Sequence, residues 1–299
     1  MKSNYFLLAL ALLGVARSFG QELEPGAYAP SPVGMNIAVV AMVYNTGELA
    51  FDPSGPIDNA HADIWVTALA YVRTLPVAGR SASLSLALPY ARGPLEGDFL
   101  GERQNITRSG LADPRLRFAV NLIGGPALAP REFVSTPPAP TTLGASFVVS
   151  PPLGQYDSAK LINIGTNRWA FKPELGLRHT MGKWTVEADA GVWLYTDNNE
   201  FYKGGRREQA PLGSFQWHVI HTFKPRCWLA FDANYYTGGR STVNGKESQD
   251  LQHNSRVGLT LAWPIDQQHS LKLSFNRGAF TNIGANFNSF GVAWQYVWR

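Results

Sequence analysis

Apolar and polar residues alternate along most of this chain in short segments. Between Lys183 and Tyr195, the residues Trp184, Val186, Ala188, Ala190, Val192 and Leu194 fall on one parity, and Lys183, Thr185, Glu187 and Asp189 fall on the other. Successive side chains of a β-strand point to opposite faces, so this segment reads as a strand with one apolar and one charged face. The segment before it repeats the pattern: Trp169, Phe171, Leu175 and Leu177 alternate with Arg168, Lys172, Glu174 and Arg178. A tight turn, Thr180-Met181-Gly182-Lys183, joins the two and puts both charged rows on the same side.

Leu116, Phe118, Val120 and Leu122 stand against Asp113, Arg115, Arg117 and Asn121 in the same way. So do Val257, Leu259, Leu261 and Trp263 against Asn254, Arg256 and Thr260, and Leu271, Leu273 and Phe275 against Lys272, Ser274 and Asn276. Weaker alternation covers 34–45, 61–74, 81–90, 142–151, 213–223 and 226–237. The last strand, 287–298, has Phe290, Val292, Trp294, Tyr296 and Trp298 on one face, which brings the expected number to twelve. No long stretch carries the 3.6-residue period of an amphipathic helix.

Alternation alone fits a soluble lipocalin or sandwich with its apolar face inward as well as a membrane barrel with its apolar face outward. Length and connectivity favour the membrane. Segments of about ten to twelve residues match a tilted bilayer crossing, whereas soluble strands commonly run about five or six. Connections near 75–80, 180–183, 224–226 and 264–269 are short, and those at 46–60, 91–110, 152–166, 196–211, 238–253 and 277–287 are long. Short periplasmic turns and long external loops are the outer-membrane arrangement. The Pro-rich stretch 123–141 breaks that rule; it is either a periplasmic elbow or a miscounted strand. The expected fold is therefore an all-β, up-and-down antiparallel transmembrane barrel of about twelve strands.

The start of the chain adds an address. Lys2, an apolar run from Phe6 to Ala16, and the small residues Ser18 and Gly20 read as a signal peptide over 1–20, cut after Gly20, with residues 21–299 forming the barrel. Eleven apolar residues are too few for a spanning helix, which needs roughly 20. The expected location is the bacterial outer membrane, with outer-membrane lipid as surroundings. The aromatic-rich strand 287–298 is the expected signal to the barrel assembly machinery, although Arg299 stands where an aromatic residue usually ends such chains.

Composition agrees, with 29 Gly, 20 Pro and 12% aromatic residues. The net charge of +4 includes Lys2 and Arg17, and no basic stripe forms, so nucleic acid is excluded as an expected partner. The single Cys227 reads as a small apolar residue.

Several stretches resemble the outer-membrane family of transporters of the meta-pathway of phenol degradation. They are Glu22-Leu23-Glu24-Pro25 with Tyr28-Ala29-Pro30-Ser31-Pro32, the run from Thr107 to Arg117, Gly154-Gln155-Tyr156-Asp157, the run from Leu161 to Glu174, and Tyr235-Tyr236-Thr237-Gly238-Gly239-Arg240. The resemblance implies an outer-membrane location and uptake of aromatic compounds, without fixing a solute.

The candidate lumen-lining residues are Asp113, Arg115, Arg117, Arg168, Lys172, Glu174, Arg178, Glu187, Asp189, Asp232, Arg256 and Lys272. Such a set either lines a pore or closes it with salt bridges, and the pattern leaves both open. The expected function is passive or facilitated passage of small molecules. Two other classes stand beside it, a barrel enzyme acting on lipid and a structural barrel with partner-binding loops. No Ser sits in a Gly-x-Ser-x-Gly elbow, and His218 and His221 fall on opposite faces of one strand, so no catalytic residue, metal ligand or cofactor is expected.

Overall fold

The computed structural model describes residues 23–51 and 57–299; the expected signal peptide lies outside the described residues. In chain order the elements are β1 (Asn36–Ala50), β2 (Ile57–Val77), β3 (Arg80–Phe99), β4 (Glu102–Leu111), β5 (Arg115–Ile123), α1 (Pro130–Ser135), β6 (Thr141–Ser150), β7 (Ala170–Met181) and β8 (Trp184–Tyr195). They continue with β9 (Asn198–Phe201), β10 (Gly205–Gln209), β11 (Leu212–Lys224), β12 (Cys227–Gly238), β13 (Ser241–Val243), β14 (Lys246–Glu247), β15 (Gln252–Pro264), β16 (His269–Phe280) and β17 (Gly284–Trp298).

Twelve of these strands close into an antiparallel barrel in the order β1-β2-β3-β5-β6-β7-β8-β11-β12-β15-β16-β17. The seam pairs β17 with β1 from Asn36↔Trp298 to Ala50↔Gly284. The parity read from the sequence decides the faces. Leu69, Leu175, Phe231 and Phe290 stand on the outside with half or more of their surface exposed, while Lys172, Glu174, Glu187, Asp189 and Asp232 are buried inside. This is the inverse of a lipocalin, and it removes the soluble reading. Stacked rings border the outward apolar belt, Tyr44 against Trp65 at 4.8 Å near one end and Tyr296 against Trp298 at 5.3 Å near the other, as interfacial girdles do.

The connections correct the expected loops, beginning with 46–60, where β1 runs on to Ala50 and β2 already starts at Ile57. The stretch 91–110 is not a loop: β3 continues to Phe99 and turns through Leu100 and Gly101, at φ +53° and +84°, into β4. Positive φ at both turn positions matches the twist of a two-residue hairpin. The stretch 277–287 is also mostly strand, because β16 runs to Phe280 and β17 starts at Gly284. Loops 196–211 and 238–253 contribute β9, β10, β13 and β14 to a second sheet in the order β14-β13-β10-β9.

The Pro-rich 123–141 is an elbow containing α1, and the strand count stands at twelve. The elbow is pinned beside the β2–β3 turn by Ser81 N–H donating to Gly125 O at 2.9 Å and Ala127 N–H donating to Gly79 O at 3.0 Å.

Candidate functional site: a plugged lumen with two unlike walls

Residues 23–35 precede β1 and pass up into the barrel instead of away from it. Their backbone donors find acceptors on the charged strands: Glu24 N–H donates to Gln216 Oε1 at 3.2 Å and Gly26 N–H to Glu187 Oε2 at 2.7 Å. The Tyr28 hydroxyl lies 2.9 Å from Glu174 Oε1, to which it donates, and 2.9 Å from Ser146 Oγ. Farther toward β1, Thr74 Oγ1 donates to Pro32 O at 2.7 Å and Ser81 Oγ to Ser31 O at 2.8 Å. A side-chain slot admits the Tyr28 ring, because a Cβ at Gly144 or at Gly176 would come within 2.1 Å of it. The segment is a plug whose polar atoms find partners on the wall and, for Ala27 and Ala29 N–H, on the carbonyls of Glu24 and Gly26, as burial requires.

The wall is not uniform. From β5 to β16 it is charged, and several of its charges are paired internally. Lys172 Nζ meets Glu174 Oε2 at 2.9 Å, Arg178 pairs with Glu187, and His218 Nδ1 lies 2.7 Å from Asp232 Oδ1. Thr260 Oγ1 donates to the other oxygen of Asp232 at 2.6 Å. Arg256 donates to Asn276 Oδ1, to Phe287 O at 2.8 Å and to Ser289 Oγ at 3.1 Å. In the His218–Asp232–Thr260 chain the carboxylate stands between the imidazole and the hydroxyl; a hydrolytic triad needs the imidazole between them.

Along β1, β2 and β3 the inward side chains are small and mostly apolar. The register lines up Val39 with Ala70 and Ala87 in one row, and Val43 with Val66 and Ala91 in another. Toward the outer end this face merges into a buried apolar cluster of Leu49, Ala62, Ile64, Leu95, Ala285 and Phe287. Between this lane and the plug lies a cavity of about 340 Å³ bordered by Tyr28, Ile37, Ala70, Val72, Ala87 and Arg117. A second cavity of about 450 Å³ lies on the elbow side of Ala29 and Pro30, lined by Leu128, Phe133, Pro137 and Pro140.

Loop 151–168 closes over the outer end. Ile162 and Ile164 sink into the apolar cluster, and Arg108 Nε donates to Ile162 O at 2.9 Å. Asp113 buckles the loop to the break between β4 and β5: its carboxylate accepts from Gly154 N–H and Thr166 N–H at 2.8 Å each and from Thr166 Oγ1 at 2.6 Å. Tyr156, in the same loop, accepts from Asn198 Nδ2 at 3.0 Å, and burial pushes its phenol above the usual range.

The twelve candidate residues thus divide. Ten lie on inward positions of the barrel strands, Asp113 holds the loop, and Arg168 precedes β7, hydrogen-bonded to Gln209. Sequence reasoning missed that five of the cations lie against rings. Arg115 is 5.9 Å and Lys172 5.3 Å from the Trp193 centroid, Arg168 4.2 Å from Tyr195, Arg117 5.1 Å from Tyr28, and Lys272 5.6 Å from Trp228. The signal was present in the parity, since Trp193 and Tyr195 continue the row of Glu187 and Asp189.

An outward apolar belt, a buried charged interior and a strand-closed seam define an outer-membrane β-barrel, here with an internal plug. The chain belongs to the family described as putative MetA-pathway of phenol degradation, whose model matches residues 46–286. Among solved structures it is similar to the COG4313 outer membrane channel from Pseudomonas putida F1, at 21% identity and a TM-score of 0.77, covering 93% of this chain and 100% of that one. The β-domain of the Bordetella autotransporter BrkA matches at 14% identity and a TM-score of 0.52, over 89% of this chain and 100% of that one. These likenesses concern the fold. No curated protein matches the sequence.

Proposed function

We propose that the protein is an outer-membrane channel that passes small apolar molecules, aromatic ones included, along the lane of β1, β2 and β3. The observation that carries the reading is the division of the lumen: the plug occupies the charged wall and leaves its free space against small side chains, Ile37, Ala70, Val72 and Ala87 with Ser83 and Ser85 between them. A polar solute would need the charged wall, where Glu174, Lys172 and Glu187 are already engaged with the plug and with one another. The family description points to the same class of compound. In this reading the charged rows hold the plug and shape the passage. Residues 1–20 are an export signal removed after Gly20, 21–299 are the mature barrel, and strand 287–298 is what the barrel assembly machinery reads.

The test is uptake of labelled toluene by cells carrying the full chain in the outer membrane, where the lipopolysaccharide leaflet slows apolar solutes. Faster uptake than in cells lacking it, reversed by Ala87→Trp in a barrel that still shows heat-modifiable gel mobility, supports the channel. Equal uptake with and without the protein overturns it.

A further inference from the structure

Arg117 stands on the border between the two walls. Its cross-strand partner on one side is Ser85, which is itself paired with Val72 in the lane; on the other side it faces Val148. Its guanidinium lies over the Tyr28 ring, and the side chain lines the 340 Å³ cavity. The carboxylate of the neighbouring wall is engaged elsewhere: Glu174 holds Lys172 Nζ at 2.9 Å and the Tyr28 hydroxyl at 2.9 Å. The Nη2 of Arg117 is buried and has no hydrogen-bond partner among the described residues. The carboxylates of Glu24 and Glu174 offset the guanidinium's charge from nearby, and an ionised acceptor that reached the unpartnered Nη2 would gain a charge-assisted bond.

The space beside it suits one ring. A cavity of about 150 Å³ is enough to hold benzene; this one is about 340 Å³, with Ala70, Ala87 and Ala119 on its walls beside Ser83, Ser85 and Asn121. Resting on the channel reading, we infer that the cavity is a binding site for monocyclic aromatic carboxylates, with the ring against the small-residue lane and the carboxylate on Arg117. Glu24 also borders the cavity. Its charge opposes an anion, so the ligand's carboxylate lies toward the guanidinium and the ring toward the alanines.

The experiment is calorimetric titration of the purified full chain in detergent with benzoate and with benzyl alcohol, which has the ring without the charge. Benzoate is expected to bind the tighter of the two. Arg117→Met, which keeps the aliphatic stem, is expected to weaken benzoate about tenfold, the size of one charge-assisted bond, and to leave benzyl alcohol within about twofold. Glu24→Gln is expected to tighten benzoate. Benzoate binding that is unchanged in Arg117→Met, or weaker than benzyl alcohol in the natural chain, overturns the assignment. Toluene uptake separates the two readings: if it persists while benzoate fails, the channel stands and the acid site falls.

Discussion

Gly144 and Gly176 are cross-strand partners on β6 and β7, and the Tyr28 ring fills the space that their missing side chains leave. A slot two strands wide, made by removing two side chains from one row, explains how an aromatic residue enters a wall otherwise crowded with charged groups. It also makes the plug sensitive to a single methyl-bearing carbon.

Gly176→Val is therefore expected to expel Tyr28 and loosen the segment 23–33. Planar-bilayer recordings should show larger and steadier conductance than the natural chain, with heat-modifiable gel mobility retained. Unchanged conductance would mean that the ring is not what seats the plug.

Replacing Asp232 tests the internal pairing. Asp232→Ala leaves the imidazole of His218 and the hydroxyl of Thr260 buried without their shared acceptor. Two such groups at roughly 1–3 kcal/mol each predict a loss of about 2–6 kcal/mol. The urea midpoint of the refolded barrel measures it, and Asp232→Asn, which can still accept, should lose less.

Asp113→Ala removes three hydrogen bonds that tie loop 151–168 to the strand break. Limited proteolysis of intact cells should then cut the loop between 154 and 166 at least several times faster, since an anchored loop is cleaved only when it opens.

The turn between β15 and β16 carries a pH dependence. Asp266 Oδ1 accepts from the backbone N–H groups of Gln268 and His269 at 2.7 Å each, which holds its carboxyl below the ordinary 3.8. A depressed carboxyl stabilises the turn fully above its unfolded value and loses that contribution as pH falls through the lower folded value. Amide exchange at 265–269 should thus accelerate below pH 3.8 in the natural chain and already be fast at neutral pH in Asp266→Ala.

Much of the barrel could be read from parity alone, because strands such as β7 and β8 have charge on one face and Leu, Val and Trp on the other. What parity hid is informative. The segments 34–45 and 61–74 alternate weakly because Ile37, Val39, Ala70 and Val72 make their inner face apolar too. A weak pattern was in fact the signature of the lane. The β3–β4 hairpin was lost because Gly93, Pro94 and Gly97 read as loop residues, whereas antiparallel neighbours hold them in extended register. The plug carries no period of its own. Gly-Ala-Tyr-Ala-Pro becomes legible only against the two glycines that receive its ring, more than a hundred positions away in the chain.

That separation also sets an order of assembly. The hydrogen bonds that tie Tyr28, Gly26 and Glu24 to the wall come from β6, β7, β8 and β11, at sequence separations from 118 to 192. Contacts of such range pay their loop-closure cost before they return anything. The segment just ahead of β1 is thus the last to find its place, and a half-assembled barrel is an open tube until that segment folds into it.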